Sequence, residues 1–198
     1  MDEFEKKDLG EGEGADACAE ENLSDTESVA EYEPKSRYEA FIYRIYRDET
    51  LSEIMKILSY VIVFATAYAL FMRICALIDT PIEIVKLLSV LGVPFVTVSV
   101  IRSVINAPRP YELYGFYEKK PKGKCGRSFP SRHVFSVFVI GTVLLAAEPV
   151  VGAVLLMLGV LLSFLRVALG IHFIRDVVAG ALIGLASGGI GLLVLNFI

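Results

Sequence analysis

Residues 150–176 read VVGAVLLMLGVLLSFLRVALGIHFIRD. From Val150 to Leu165 the run carries no charge, and Arg166 follows just before Leu169-Gly170. A hydrocarbon core of about 30 Å is crossed by about 20 helical residues. The stretch therefore reads as a membrane span over roughly Val150–Ala168. At its end stand Arg166, His172 and Asp176. Ionisable groups at the edge of a span cost free energy and usually serve a function.

The same pattern recurs outward from this stretch. The chain of 198 residues is 55% hydrophobic with a mean hydropathy of +0.59. That is too apolar for an ordinary soluble domain and fits a multi-spanning membrane protein. Further spans are expected over roughly Glu53–Ile78, Ile82–Ile105, Ser131–Ala147 and Asp176–Ile198, the third of them short. The last carries Gly180, Gly184 and Gly188 at four-residue spacing, a seam that lets helices approach closely. The fold class expected is all-α: a membrane bundle of about five transmembrane helices.

Charge divides the rest of the chain. The net charge of −4 conceals an acidic segment before residue 34 and a basic remainder. Residues 1–34 have too few large apolar side chains to offset ordering entropy and are expected to be a disordered tail. Residues 35–52 place Tyr38, Phe41, Ile42 and Ile45 on one helical face among arginines. They read either as an interfacial amphipathic helix or as an extension of the next span. Residues 53–198 form the membrane domain. Cys18, Cys75 and Cys125 make no metal or disulfide pattern, and no secretory signal is visible near the start. Basic residues that flank spans do not form a nucleic-acid surface, so no nucleic-acid partner is expected.

With five spans, the ends bearing polar islands all face one side. Those islands are Arg102 with Arg109-Pro110, Ser131-Arg132-His133, and Arg166 with His172 and Asp176. Arginine forks match phosphate oxygens and stay charged. Ser131 stands where a helix N-cap belongs, and a helix N-terminus offers N–H groups to an anion. Asp176, one turn from His172, can fix the tautomer of that imidazole. The expected chemistry is phosphoryl transfer. Arg102, Arg109, Ser131, Arg132 and Arg166 hold the phosphate, His172 attacks phosphorus, Asp176 steadies it, and His133 serves as acid and then base. No carboxylate cluster stands ready for magnesium, so neither a metal nor another cofactor is expected. Tyr111, Tyr114, Phe116 and Tyr117 read as an interfacial aromatic belt, and Lys119, Lys120, Lys122 and Lys124 as a solvated basic loop.

Three elements together resemble the signature of the type-2 phosphatidic acid phosphatase superfamily. They are Arg102-x6-Arg109-Pro110, Pro130-Ser131-Arg132-His133 and Leu165-Arg166-x5-His172-x3-Asp176. The resemblance implies a metal-independent membrane phosphatase acting on lipid phosphates or diphosphates through a phosphohistidine on His172. The substrates implied are of the phosphatidic acid, phosphatidylglycerol phosphate or polyprenyl diphosphate type. Arg102 stands for the usual lysine, Arg132 for glycine and Leu165 for serine. A lipid phosphotransferase and a non-catalytic binder of anionic lipid are the alternatives. The setting implied is a bacterial cell membrane, with the protein embedded as a multi-pass chain. The basic residues around 35–56 and 106–132 place the active site on the cytoplasmic face by the positive-inside rule, whereas the resemblance favours the outer face.

Overall fold

The computed structural model describes residues 34–114 and 126–195. The acidic tail, Cys18, Phe116, Tyr117, the four loop lysines and Cys125 lie outside the described residues. Seven helices are described: α1 (Arg37–Arg47), α2 (Glu49–Ala76), α3 (Pro81–Ile105), α4 (Pro110–Leu113), α5 (Arg132–Ala147), α6 (Pro149–Ala168) and α7 (Ile174–Leu195). Four stretches, containing α2, α3, α6 and α7, have the length and composition to cross a membrane. The remaining expected span is α5, whose 16 residues extend only about 24 Å at 1.5 Å per residue.

Shortness suits α5 because it lies at the centre. Val134, Phe135, Val137, Phe138, Val139, Val143 and Leu144 are all buried, on every side of the helix. Helices α2, α3, α6 and α7 pack around it. The outer helices keep large apolar residues exposed, with Phe64 at 73%, Val104 at 79% and Leu193 at 80%. Such a surface is costly in water and unremarkable in hydrocarbon, where helix association rests on close packing rather than on the hydrophobic effect.

The glycine seam supplies that close packing. A Cβ on Gly180 would lie 2.7 Å from the Ser131 carbonyl oxygen. One on Gly184 would lie 2.8 Å from the Phe135 carbonyl oxygen and 2.8 Å from Phe138 Cβ. The obstructing atoms are largely α5 backbone, which moves only if the helix moves. Gly184→Ala is therefore expected to cost about 1–3 kcal/mol by overpacking. It should lower the melting temperature in detergent and the activity together, because α5 and α7 carry the polar islands. Unchanged melting would contradict this account of the seam.

Helix α1 is a separate element and not an extension of α2. Asp48 (φ −90, ψ 93) breaks the helix, and its Oδ1 accepts the Leu51 N–H at 2.9 Å to cap α2. Ser36 caps α1 through the Glu39 N–H. Ile42 and Ile45 are buried against the bundle, whereas Phe41 stays exposed and only approaches Phe164, ring centroids 6.4 Å apart. Helix α1 packs on α2 and α6, so it joins the end of the bundle where α3 ends, α5 begins, α6 ends and α7 begins.

Candidate active site

The turn between α6 and α7 is built from its capping residues. Gly170 has φ +64, the left-handed conformation that glycine adopts without penalty. Its N–H donates to the Val167 carbonyl at 3.0 Å, and the Ile171 N–H donates to the Arg166 carbonyl at 3.1 Å. This pair of bonds is the Schellman motif. The His172 N–H also donates to the Arg166 carbonyl, at 3.2 Å. One helix end thus fixes the backbones of Arg166 and His172 relative to each other. Asp176, in the first turn of α7, reaches back so that its Oδ2 accepts the Phe173 N–H at 3.0 Å. That is half of a capping box, with negative charge at the favourable helix end.

His172 is 1% exposed and Asp176 0%. The direct Nδ1–Oδ2 separation is 3.6 Å, beyond hydrogen-bond reach. Ser128 closes the gap: its hydroxyl donates to Asp176 Oδ2 at 2.5 Å and lies 3.3 Å from His172 Nδ1. The expected one-step contact is therefore a relay, in which Nδ1–H donates to Ser128 and Ser128 donates to Asp176. Nε2 is left with its lone pair. Sequence spacing could not have found Ser128, which lies on a loop far away in the chain. Its backbone N–H is held by the Ala107 carbonyl at 2.8 Å.

The second and third islands meet through main chain. The Ser131 N–H donates to the Asp176 carbonyl at 3.0 Å. Ser131 does occupy the N-cap of α5, but its hydroxyl makes no capping bond; it is buried and without a partner. Arg102 is buried and donates from Nη1 to the Pro130 carbonyl at 2.9 Å, pinning the loop before α5. Arg109 is not on α3, which stops at Asn106 in the left-handed region. It donates from Nε to the Gly126 carbonyl at 3.0 Å, and its guanidinium lies 5.7 Å from the Tyr111 ring centroid. Tyr111 is 4% exposed, so it supports Arg109 and does not belong to an exposed belt.

A cavity of about 400 Å³ opens between these elements. Arg102, Arg109, Arg132, His133, Arg166 and His172 all line it. Ser131 and Asp176 do not; both are buried behind the wall. Within it, Arg166 is buried, and its Nε and Nη2 have no hydrogen-bond partner. A buried unpaired donor costs roughly 1–3 kcal/mol, which an anion in the cavity would relieve. Tyr46, Ser52, Lys56 and Tyr60, from α1 and α2, also line it, as does Tyr111. The i, i+4, i+8 spacing of Ser52, Lys56 and Tyr60 on one helix face was the available signal for them. Among the described residues no group of three or more His, Cys, Asp or Glu gathers.

Burial holds the His172 imidazole down, to about 4, against the opposing pull of Asp176; Arg109 and Arg102 push it further down. The ring is thus neutral at pH 7. Folding favours the unprotonated form, so stability is lost as pH falls from the ordinary 6.5 towards about 4. With only two histidines in the sequence, the check is NMR of histidine-labelled protein in detergent. The His172 resonance should titrate near 4, and Asp176→Asn should move it lower still. A midpoint at or above 6.5 would contradict the assigned environment.

The model of the PAP2 superfamily matches residues 83–197, more than half of the chain and every residue of the three islands. The chain belongs to the PAP2 superfamily. Of the solved structures that resemble this PAP2 protein, Aquifex aeolicus LpxE has a TM-score of 0.59 and 28% identity, covering 78% of this chain and 93% of its own. The first transmembrane PAP2 type phosphatidylglycerolphosphate phosphatase from Bacillus subtilis has a TM-score of 0.55 and 24% identity, over 81% and 85%. At that identity the second likeness concerns the fold. No curated protein sequence matches the chain. With this membership and its apolar helices, the PAP2 protein is an integral membrane lipid phosphatase. Helices α1 and α2 lie outside the matched region.

Proposed function

We propose that this PAP2 protein hydrolyses a lipid phosphate or diphosphate, without a metal, through a phosphohistidine on His172. The observation that carries the proposal is the shared cavity of His172, its Nδ1 tied into the Ser128–Asp176 relay, and Arg166 with two unpaired side-chain nitrogens. Arg166, with Arg102 and Arg109, supplies the positive charge that metal ions supply in other phosphatases. His172 Nε2 attacks phosphorus, the bond from phosphorus to the lipid oxygen breaks, and His133 gives that oxygen a proton. Water then attacks, His133 accepts its proton, the P–N bond breaks, and inorganic phosphate leaves.

The substrates that fit are phosphatidic acid, phosphatidylglycerol phosphate and polyprenyl diphosphate, in a bacterial cell membrane, with α1 in the headgroup layer. The test is phosphate release by detergent-purified protein from these lipids with chelator present, together with ³²P trapping. Label that is stable to base, labile to acid and absent from a His172 variant is expected. Chelator-sensitive release, or label that persists without His172, would sink the mechanism. The positive-inside rule puts this site in the cytoplasm. An impermeant thiol reagent should then spare Cys125 in intact cells once Cys18 and Cys75 are replaced; reaction would reverse the orientation.

A further inference from the structure

The charge inside the cavity exceeds what one phosphate needs. Among the described residues, Lys56, Arg102, Arg109, Arg132 and Arg166 line it, and no carboxylate does. A phosphate dianion in the cavity and Asp176 behind the wall leave an excess of positive charge. The five cations also differ in attachment. Arg102 and Arg109 are hydrogen-bonded to loop carbonyls, and Arg166 is buried near His172 with its unpaired N–H groups. Lys56 and Arg132 are exposed and stand on α2 and on the first position of α5. Arg132 is a cation at the positive end of a helix dipole, an unfavourable place unless an anion lies nearby. Among the described residues Lys56 pairs with Glu53, at 2.7 Å, with side-chain exposures of 47% and 64%. An ion pair that exposed is worth little and exchanges readily for a ligand.

We infer that Lys56 and Arg132 form a second anion subsite and that the substrate carries a second phosphate next to the one removed. The inference rests on the hydrolase reading above. The second group is either the inner phosphate of a lipid diphosphate or a phosphodiester one short alcohol away. His172 attacks the terminal phosphorus. The bond from that phosphorus to its leaving oxygen (the bridging oxygen of a diphosphate or the alcohol oxygen of the phosphodiester) breaks, His133 protonates that oxygen where it needs a proton, and the leaving lipid keeps the second phosphate against Lys56 and Arg132. Neither residue belongs to the family pattern at its position: Lys56 lies outside the matched region, and Arg132 stands where the signature has glycine.

The test uses full-length protein and two substrate pairs with common tails. They are polyprenyl diphosphate against polyprenyl monophosphate, and phosphatidylglycerol phosphate against phosphatidic acid. The quantity read is the ratio of kcat/KM within each pair. Lys56→Met is expected to lower the ratio about tenfold in at least one pair, mainly through KM, as loss of a charge-assisted contact would. Arg132→Gly should lower the same ratio, and Lys56→Arg should preserve it. A drop in the first pair identifies a diphosphate, and a drop in the second a phosphodiester. A wild type active on these lipids whose ratios stay unchanged in both Lys56→Met and Arg132→Gly, or whose variants lose both members of a pair equally, overturns the subsite alone. A wild type silent on all four lipids overturns the hydrolase reading and the subsite with it.

Discussion

His172→Ala is expected to abolish phosphate release, by at least about 10⁴-fold, while the protein still purifies as a folded bundle. If His172 is the covalent nucleophile proposed above, nothing substitutes for it, and removing a nucleophile typically costs rate on this scale. The fold should survive because the other members of the relay keep partners. Asp176 Oδ2 retains the Ser128 hydroxyl and the Phe173 N–H. The Schellman turn uses main chain and Gly170, not the imidazole. Size-exclusion behaviour and melting in detergent check the fold, and phosphate release checks the chemistry. A folded variant that keeps more than about a hundredth of wild-type activity would remove His172 from the role of nucleophile.

Arg166→Met is expected to lose about 10²–10³-fold in kcat/KM, the scale for losing one preorganised stabiliser of developing charge. Arg166→Lys should recover little, because an ammonium lacks the planar fork that meets two oxygens at once. Stability should move the other way. The guanidinium is buried with Nε and Nη2 unpaired, a desolvation cost that methionine removes. Arg166→Met should melt no lower than wild type, and higher if that cost dominates. Inorganic phosphate should raise the melting temperature of the wild type by mass action and leave the variant nearly unmoved. Equal stabilisation of both proteins by phosphate would show that Arg166 does not hold the anion.

Much of this was legible in the chain because it is local. The uncharged run before Arg166 and its counterparts specify helices by length and composition. The helix limits came within a few residues of expectation, since Pro81, Pro149 and Gly170 punctuate them where they should. The three islands share one end because alternating spans leave no other arrangement. The Gly180–Gly184–Gly188 seam declared its close approach by spacing alone. Tyr111 was misread because an aromatic in a polar loop looks the same in sequence whether it meets headgroups or supports an arginine.

By itself the sequence determined the helical class, the bundle's polar end and the identity of the groups that meet there, all consequences of hydropathy, periodicity and span parity. Only the tertiary structure decided how those groups are connected. Ser128 enters between His172 and Asp176 because a loop folds back onto them. Lys56 and Tyr60 reach the cavity because α1 and α2 pack across its side, and Arg166 is left unpaired because, among the described residues, the groups packed against its Nε and Nη2 offer no acceptor. Those contacts join residues far apart in the chain. They depend on how helices and loops are packed in three dimensions, which no local pattern of residues records.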